Sequence, residues 1–331
     1  MILRKHLNKV ICGDALETLK KFPSASIDCA IFSPPYWQMR DYRWKGQWGQ
    51  EKSFEEYLER LWRFMDELKR VLKARGTVWV NIGDTYGKLP AKTLLLLPHR
   101  FAVGCQERGW LIRNDIVWAK PNGMPESVKD RFSKKHEYIF FLTKSKKYYF
   151  DLDSVREQHK TASFERLQRG VSENKGGGGQ SVHSISQPRP HLTKIIKLDA
   201  EHYGSPRARY HRGDGTVRSL HPKGKNPGDV SDFWSISTKP NFQKHFASYN
   251  YELINKPILA GCPKDGIVLD PFCGIATTGV RAIELGRKFI GIEGKKSYCK
   301  MAMKNIAAAE NYQLNKHNYE RKHISIYKRT A

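Results

Sequence analysis

The sequence has no run of about 18 consecutive apolar residues, so nothing in it reads as a membrane-spanning helix. Its first residues, Met1-Ile-Leu-Arg-Lys-His6, also lack the apolar stretch of a secretion signal. Cysteine is sparse: Cys12, Cys29, Cys105, Cys262, Cys273 and Cys299 stand apart, mostly inside apolar runs, with no C-x-x-C pair. That spacing argues against a disulfide-stapled scaffold or a cysteine-built zinc site and predicts six reduced core residues in a soluble, cytoplasmic protein. Anionic charge is scarce as well, with 33 Asp+Glu against 58 Lys+Arg and a formal net charge of +25. The imbalance points to a polyanionic partner, nucleic acid first, because each neutralised phosphate releases a counterion.

What is present supports an α/β fold with a mostly parallel sheet. The 331 residues are 39% hydrophobic and 11% aromatic, enough for a substantial core. A strand over Lys9–Cys12, a helix over Ala15–Phe22 and a strand over Ile27–Phe32 open the chain. From Ser53 to Lys73 apolar residues recur at helical spacing behind a Ser53/Glu56 capping box, and Gly76 is the expected stop. Thr77–Ile82 reads as a strand, Leu94–Arg108 as a helix, and Trp110–Trp118 and Glu137–Phe150 as further strands. The pattern returns with a helix over Tyr249–Ala260, a strand over Gly266–Asp270, a helix to Leu285 and a strand over Lys288–Ile292. Repeated βα units need crossover helices, hence the parallel sheet.

Two strand ends carry the chemistry. The first strand end runs into Ser33-Pro34-Pro35-Tyr36, where two prolines cannot continue a ladder and hold a stiff loop bearing a hydroxyl and a ring. In an open α/β sheet ligands bind outside the carboxyl strand ends, so this loop suits a flat polar molecule such as a nucleobase. The second is Asp270-Pro271-Phe272-Cys-Gly274, continuing to Thr277-Thr278-Gly279 and a helix, with Glu293 ending the next strand. A glycine-containing strand-to-helix turn followed by a carboxylate some twenty residues on fits a nucleoside, the acid holding ribose hydroxyls. Neither a Walker loop nor G-x-G-x-x-G occurs in this turn, which disfavours a pyrophosphate.

Together these segments resemble the β-class amino-methyltransferases of DNA, the group that includes the N4-cytosine enzymes of restriction-modification systems. Gly13-Asp14, Gly46-Gln-Trp-Gly-Gln-Glu51, Asn81-Ile-Gly-Asp84-Thr-Tyr86, Trp118-Ala-Lys-Pro-Asn122 and His136-Glu-Tyr138 add to the match. The resemblance implies a Rossmann-like sheet of the class I methyltransferase type, circularly permuted, with an inserted target-recognition segment. It implies S-adenosylmethionine as cofactor, held by Asp14, Tyr249, Asp270, Pro271, Phe272, Gly274, Thr277, Thr278 and Glu293. Catalysis falls to Ser33, Pro34, Pro35 and Tyr36, with serine at the first position in the form associated with N4 of cytosine. The partner is double-stranded DNA with the target base flipped out, alongside a cognate restriction endonuclease. N6-adenine methylation is the alternative, with RNA methylation or non-catalytic DNA binding behind it. Methylation at carbon 5 of cytosine needs a thiolate, typically in a Pro-Cys pair, and no Pro-Cys occurs. Two departures stand out: Ala276 replaces a usual glycine, where a backbone requiring φ > 0 would be strained, so a slightly altered cofactor loop is expected, and Tyr249-Asn250 replaces Phe-Pro.

The domain plan is a catalytic part over 1–155, a basic recognition insertion over 156–244, a cofactor-binding part over 245–310 and a basic tail over 311–331. The insertion holds 16 Lys/Arg against 8 Asp/Glu and mixes cations with rings in Arg207-Ala-Arg209-Tyr-His-Arg212, a composition suited to phosphates and bases. Lys120 and Asn122 join Arg207, Arg209 and Arg212 as expected DNA contacts. The insertion's histidines show no ligand spacing, so no metal is expected.

Overall fold

The computed structural model describes residues 3–88, 91–157, 232–238 and 250–327. Its centre is an eight-stranded sheet in the order β1 (Lys9–Cys12), β10 (Lys288–Glu293), β9 (Ile267–Asp270), β2 (Ile27–Phe32), β3 (Leu72–Ile82), β7 (His136–Thr143), β6 (Leu111–Ala119) and β8 (Phe233–Ser235). From β1 to β3 every neighbour pair is parallel, whereas β7 runs antiparallel to both β3 and β6. A short hairpin of β4 (Tyr86–Lys88) and β5 (Ala91–Leu94) lies apart from the sheet. The sheet is therefore mixed α/β and mostly parallel, as the alternating pattern predicts. Strand β8 lies within the range 156–244 that composition assigns to the insertion, yet it pairs with Val117–Ala119 of the sheet.

Helices cover both faces, and the strands alternate between two apolar clusters as a period of two requires. Ala30, Phe32, Val78 and Val80 face one cluster with α1 (Ala15–Leu19), α2 (Phe54–Val71) and α3 (Leu97–Glu107). Cys29, Ile31 and Trp79 face the other with α4 (Tyr251–Gly261), α5 (Thr277–Glu284) and α6 (Lys296–Tyr327). On that second face Trp79 and Phe141, cross-strand partners, stack with ring centroids 4.1 Å apart.

Two expectations are corrected. Helix α2 begins behind its Ser53 cap as predicted, but it ends at Val71, not Gly76. Leu72 turns extended to enter β3, and Gly76 lies inside that strand, where a Cβ would meet the Leu72 side chain at 2.6 Å. Cys12 is exposed at the end of edge strand β1 and is joined to Cys299 at the start of α6, with Cα atoms 6.0 Å apart. Only Cys29, Cys105, Cys262 and Cys273 are buried thiols; a pairing across 287 residues leaves no trace in local spacing.

The chain forms two compact units: Met1–Asp151 with Asp232–Ala331, which holds the sheet, and Leu152–Ser231. Of the second, residues 152–157 are described, with a single 3-10 turn at Asp153–Val155. Among the described residues no helix is long and apolar enough to cross a membrane, and no cluster of His, Cys, Asp or Glu is placed to hold a metal.

Close packing between α2 and α3 supplies a test. A Cβ on Gly104 would sit 2.2 Å from the Trp62 ring, whose Nε1 is itself held by the Phe101 carbonyl at 3.1 Å. Replacing a helical glycine with alanine ordinarily stabilises by about 0.5–1 kcal/mol, but here overpacking of about 1–3 kcal/mol dominates. Gly104→Ala is expected to lower the urea midpoint; a raised midpoint would refute this packing.

Candidate active site

Because β9, β10, β2 and β3 are parallel, their carboxyl ends meet on one edge of the sheet, and a cleft of ≈ 360 Å³ opens there. Its walls include Ser33, Pro34, Pro35 and Tyr36 beyond β2, Asp270, Pro271, Phe272 and Gly274 from the end of β9, and Glu293 at the end of β10. Asp14, Thr277, Thr278 and Lys120 also line it. Residues from opposite ends of the chain thus share one cavity. Asn122 does not line it: its side chain clamps Thr238, accepting from the Thr238 amide at 2.8 Å and donating to the Thr238 carbonyl at 2.7 Å. Tyr249, Arg207, Arg209 and Arg212 lie outside the described residues.

Around the proline loop the hydrogen bonds form one connected set. Ser33 Oγ donates to the Tyr36 hydroxyl at 3.1 Å, and that hydroxyl donates to Glu137 Oε2 at 2.7 Å. Asn81 Nδ2 donates to both, at 3.0 Å to the phenol and 2.8 Å to the carboxylate. Lys120 Nζ donates to Glu137 Oε1 and lies 4.3 Å from the Trp118 ring centroid. The lysine expected on DNA therefore points into the cleft. Under the Tyr36 ring lies Gly83, where a Cβ would stand 2.7 Å from Tyr36 Cε2. The absence of a side chain at Gly83 lets the ring approach the backbone this closely, which places the phenol beside the strand ends.

Asn81, Trp118 and Glu137 are site residues that sequence reasoning placed only within family-like segments. Their signal is topological: β7 runs antiparallel, so its first residues arrive where the parallel strands finish. Ile82 pairs with Tyr138, which sets Glu137 at the β3 end. Asn81 is 6% exposed, and its Oδ1 atom has no hydrogen-bond partner among the described residues. Flipping the amide would set oxygen against the Glu137 carboxylate, so the nitrogen must face it. A buried acceptor left in this state costs about 1–3 kcal/mol, which a donor ligand would relieve.

The opposite wall is acidic. Asp270 is fully buried, its carboxylate accepting from Thr278 Oγ1 at 2.7 Å and the Phe272 amide at 3.1 Å. Desolvation pushes its pKa up to about 7, against the opposing pull of those two hydrogen bonds, with the Glu293 charge adding to the rise. Burial also raises Glu293, although it accepts from the Gly274 and Lys295 amides at 2.9 and 2.8 Å. Asp14 caps α1 through the Glu17 amide and accepts from Trp48 Nε1 at 2.8 Å and Arg60 Nη2 at 3.2 Å. It is thus both a helix cap and a cleft wall.

The cofactor that the resemblance implies fits this chemistry. S-adenosylmethionine carries a sulfonium cation, a ribose diol and amino donors. A cleft with Asp14, Glu137, Asp270 and Glu293 on its walls, backed by the Phe272 and Trp48 rings 5.2 Å apart, offers acceptors and an apolar surface rather than a phosphate cradle. Ala276 does adopt the left-handed conformation expected of the missing glycine, with φ 66 and ψ 40, immediately ahead of α5.

The acidic wall is testable at Ala276 and at Asp270. The left-handed alanine costs about 1–2 kcal/mol, of which glycine's extra freedom in the unfolded chain offsets about 0.4–1 kcal/mol. Ala276→Gly is therefore expected to raise the unfolding midpoint slightly; a clear drop would show the loop to be unstrained. For Asp270 the folded pKa lies above the unfolded one, so the fold binds the extra proton and this contribution is full below about pH 4. It is lost as pH rises through about 7. The stability of the wild type relative to Asp270→Asn is expected to fall across that interval in urea titrations; a flat or rising difference would contradict the burial.

Comparison with known proteins places the chain. A model of the DNA methylase family covering N6 and N4 methylation matches residues 27–304. The type II methyltransferase M.Cfr9I of Citrobacter freundii is 35% identical over 320 residues, covering 89% of this chain and 86% of its own. M.SmaI of Serratia marcescens is 33% identical, with 90% of each chain covered. In fold, the PvuII DNA methyltransferase, described as cytosine-N4-specific, superposes with a TM-score of 0.58 at 19% identity over 92% of both chains. The TTHA0409 protein of Thermus thermophilus, solved with S-adenosyl-L-methionine, does so at 0.53 and 22% identity over 91% of this chain and 95% of its own. A family model across most of the length and relatives above 30% identity along nearly their whole sequence make this chain a member of the S-adenosylmethionine-dependent DNA methylase family of the N6/N4 type.

Proposed function

We propose that this DNA methyltransferase methylates the exocyclic N4 of a cytosine flipped out of duplex DNA. The observation that carries the reading is the neutral Ser33 hydroxyl at the β2 end, in the same cleft as the carboxylates of Asp270 and Glu293. S-adenosylmethionine, when bound, supplies an electrophilic methyl group on sulfur. Asp270, Phe272, Gly274, Thr277 and Thr278 would hold its body, Glu293 its ribose and Asp14 its adenine end, with Tyr249 as a further aromatic wall.

An exocyclic amino group is a poor nucleophile because its lone pair is delocalised into the ring. Hydrogen bonds from that group to Ser33 Oγ and to a main-chain carbonyl of Pro34-Pro35 favour a tetrahedral nitrogen and aim the lone pair. Orientation of this kind accounts for much of the rate in a transfer between two bound partners. Tyr36, backed on Gly83, stacks on the base, and stacking of about 1–3 kcal/mol per base offsets part of the cost of flipping. Lys120 and the arginines of the insertion serve duplex binding in this scheme, Lys120 from inside the cleft. The position of β9 and β10 between β1 and β2 supports a permuted order of the class I core; the plan of a catalytic part, a recognition insertion, a cofactor part and a basic tail belongs to the same reading. The naming of the relatives as type II methyltransferases supports pairing with a restriction endonuclease.

The decisive measurement is digestion of DNA methylated by the enzyme to nucleosides, with mass-spectrometric separation of the products. N4-methylcytosine is expected; N6-methyladenine alone would overturn the base assignment. Ser33→Ala is expected to lower single-turnover methyl transfer by about 10²–10³-fold while leaving duplex affinity intact, as loss of one preorganised hydrogen-bonding group does. Full activity in Ser33→Ala and Tyr36→Ala would remove this loop from catalysis.

A further inference from the structure

Methylating an amino group leaves one proton too many on nitrogen, and serine is no base. The hydrogen-bond directions at the β2 and β3 ends point to where that proton goes. Ser33 Oγ donates to Tyr36 at 3.1 Å and Tyr36 donates to Glu137 Oε2 at 2.7 Å, so the chain of donors runs along the cleft wall from Ser33 and stops at a carboxylate. Asn81 donates to both the phenol and the carboxylate, so the phenolic oxygen already accepts and its proton is turned to Glu137. We propose that Glu137 is the terminal proton acceptor of methyl transfer, reached through Ser33 and Tyr36. This rests on the assignment of Ser33 as the group that receives the amino hydrogen bond.

The step balances. The amino nitrogen's lone pair forms the N–C bond to the methyl, the C–S bond breaks with its electron pair going to sulfur, and the nitrogen becomes cationic. Its proton passes to Ser33 Oγ, the serine proton to the Tyr36 oxygen, and the phenolic proton to Glu137. A neutral methylated base, a thioether and a protonated Glu137 result. The titratable and charged groups facing Glu137 are Lys120 from the end of β6, Lys134 from the loop joining β6 to β7, and Tyr36 from the loop after β2. Lys120 is the ion-pair partner of the carboxylate before transfer and loses that counter-charge afterwards. Glu137 acts through Tyr36 and Ser33, so it is a positioning and proton-accepting residue that does not itself touch the base.

The test compares wild type, Glu137→Gln, Tyr36→Phe and the double variant in single turnovers with tritiated S-adenosylmethionine and plasmid DNA across pH. Glutamine keeps the shape of the set and phenylalanine keeps the stacking ring. Melting temperature and calorimetric cofactor and duplex affinities establish that each variant is folded and loaded. Glu137→Gln is expected to lose about 10²-fold in rate with affinities within about twofold. Its rate should then rise with pH as hydroxide replaces the missing acceptor. The double variant should be no slower than the slower single one, because both cut one path. Difference infrared spectra of the wild-type turnover should show a protonated-carboxyl band absent from Glu137→Gln. Wild-type rate and pH profile in Glu137→Gln, multiplicative losses in the double variant, or a band that survives the substitution would each overturn the relay. If wild type forms only N6-methyladenine, the cytosine reading fails while the same variants still decide the relay, since the adenine amino group has the same proton to lose.

Discussion

The site depends on a parallel seam of two residue pairs, Cys29 with Val268 and Ala30 with Leu269, that joins β2 to β9. These strands lie about 240 positions apart in sequence, so closing the loop between them is entropically costly and must be matched by buried contacts. Polar groups, one pair half-buried and one fully buried, brace the seam. Asp28 accepts from the Ile267 amide at 2.9 Å while paired with Lys73 at 2.8 Å, and Thr77 donates to the Gly261 carbonyl at 2.8 Å in a fully buried setting. Because the pairing is parallel, the carboxyl ends on both sides of the seam fall on one edge. The proline loop and the acidic turn therefore face the same cavity. An antiparallel seam would have put them at opposite ends of the sheet.

Charge works on two scales in this molecule. The chain as a whole is strongly cationic, which steers a polyanion toward it and yields salt-dependent affinity. The cleft reverses the sign locally, with Asp270 and Glu293 buried at a desolvation cost that raises both of their pKa values. Long-range attraction belongs to the surface, whereas the cleft acts over contact distances, where burial strengthens each interaction. A basic protein can thus draw in DNA and still hold a sulfonium cation beside it.

The hydrogen-bond set of Ser33, Tyr36, Asn81, Glu137 and Lys120 draws on the ends of β2, β3, β6 and β7. Its rigidity comes from backbone features more than from bulk: two prolines stiffen the loop, and a glycine lets the Tyr36 ring lie against the chain beyond β3. The cation of Lys120 is engaged internally by Glu137 and Trp118. A residue type that composition assigns to phosphate contact is here recruited by a neighbouring carboxylate, because a lysine at a strand end next to buried acid is more stable paired than solvated in a partly closed cleft.

The sequence by itself determined the alternation of strands and helices, the two turns that line the cleft, and, through the family resemblance, a position at Ala276 that a left-handed backbone would strain. Each of these is set by residues adjacent in the chain: prolines that break a ladder, periodic apolar positions, a glycine replaced in a turn. Other features were beyond its reach. The end of α2 at Val71 rather than Gly76, the pairing of Cys12 with Cys299, and the turning inward of Lys120 depend on contacts between distant segments. The recruitment of Glu137 and Asn81 has the same cause, since only strand order and direction bring the start of β7 to the finish of β2 and β3. Local rules specify what each segment becomes, and only the sheet's topology decides which segments meet.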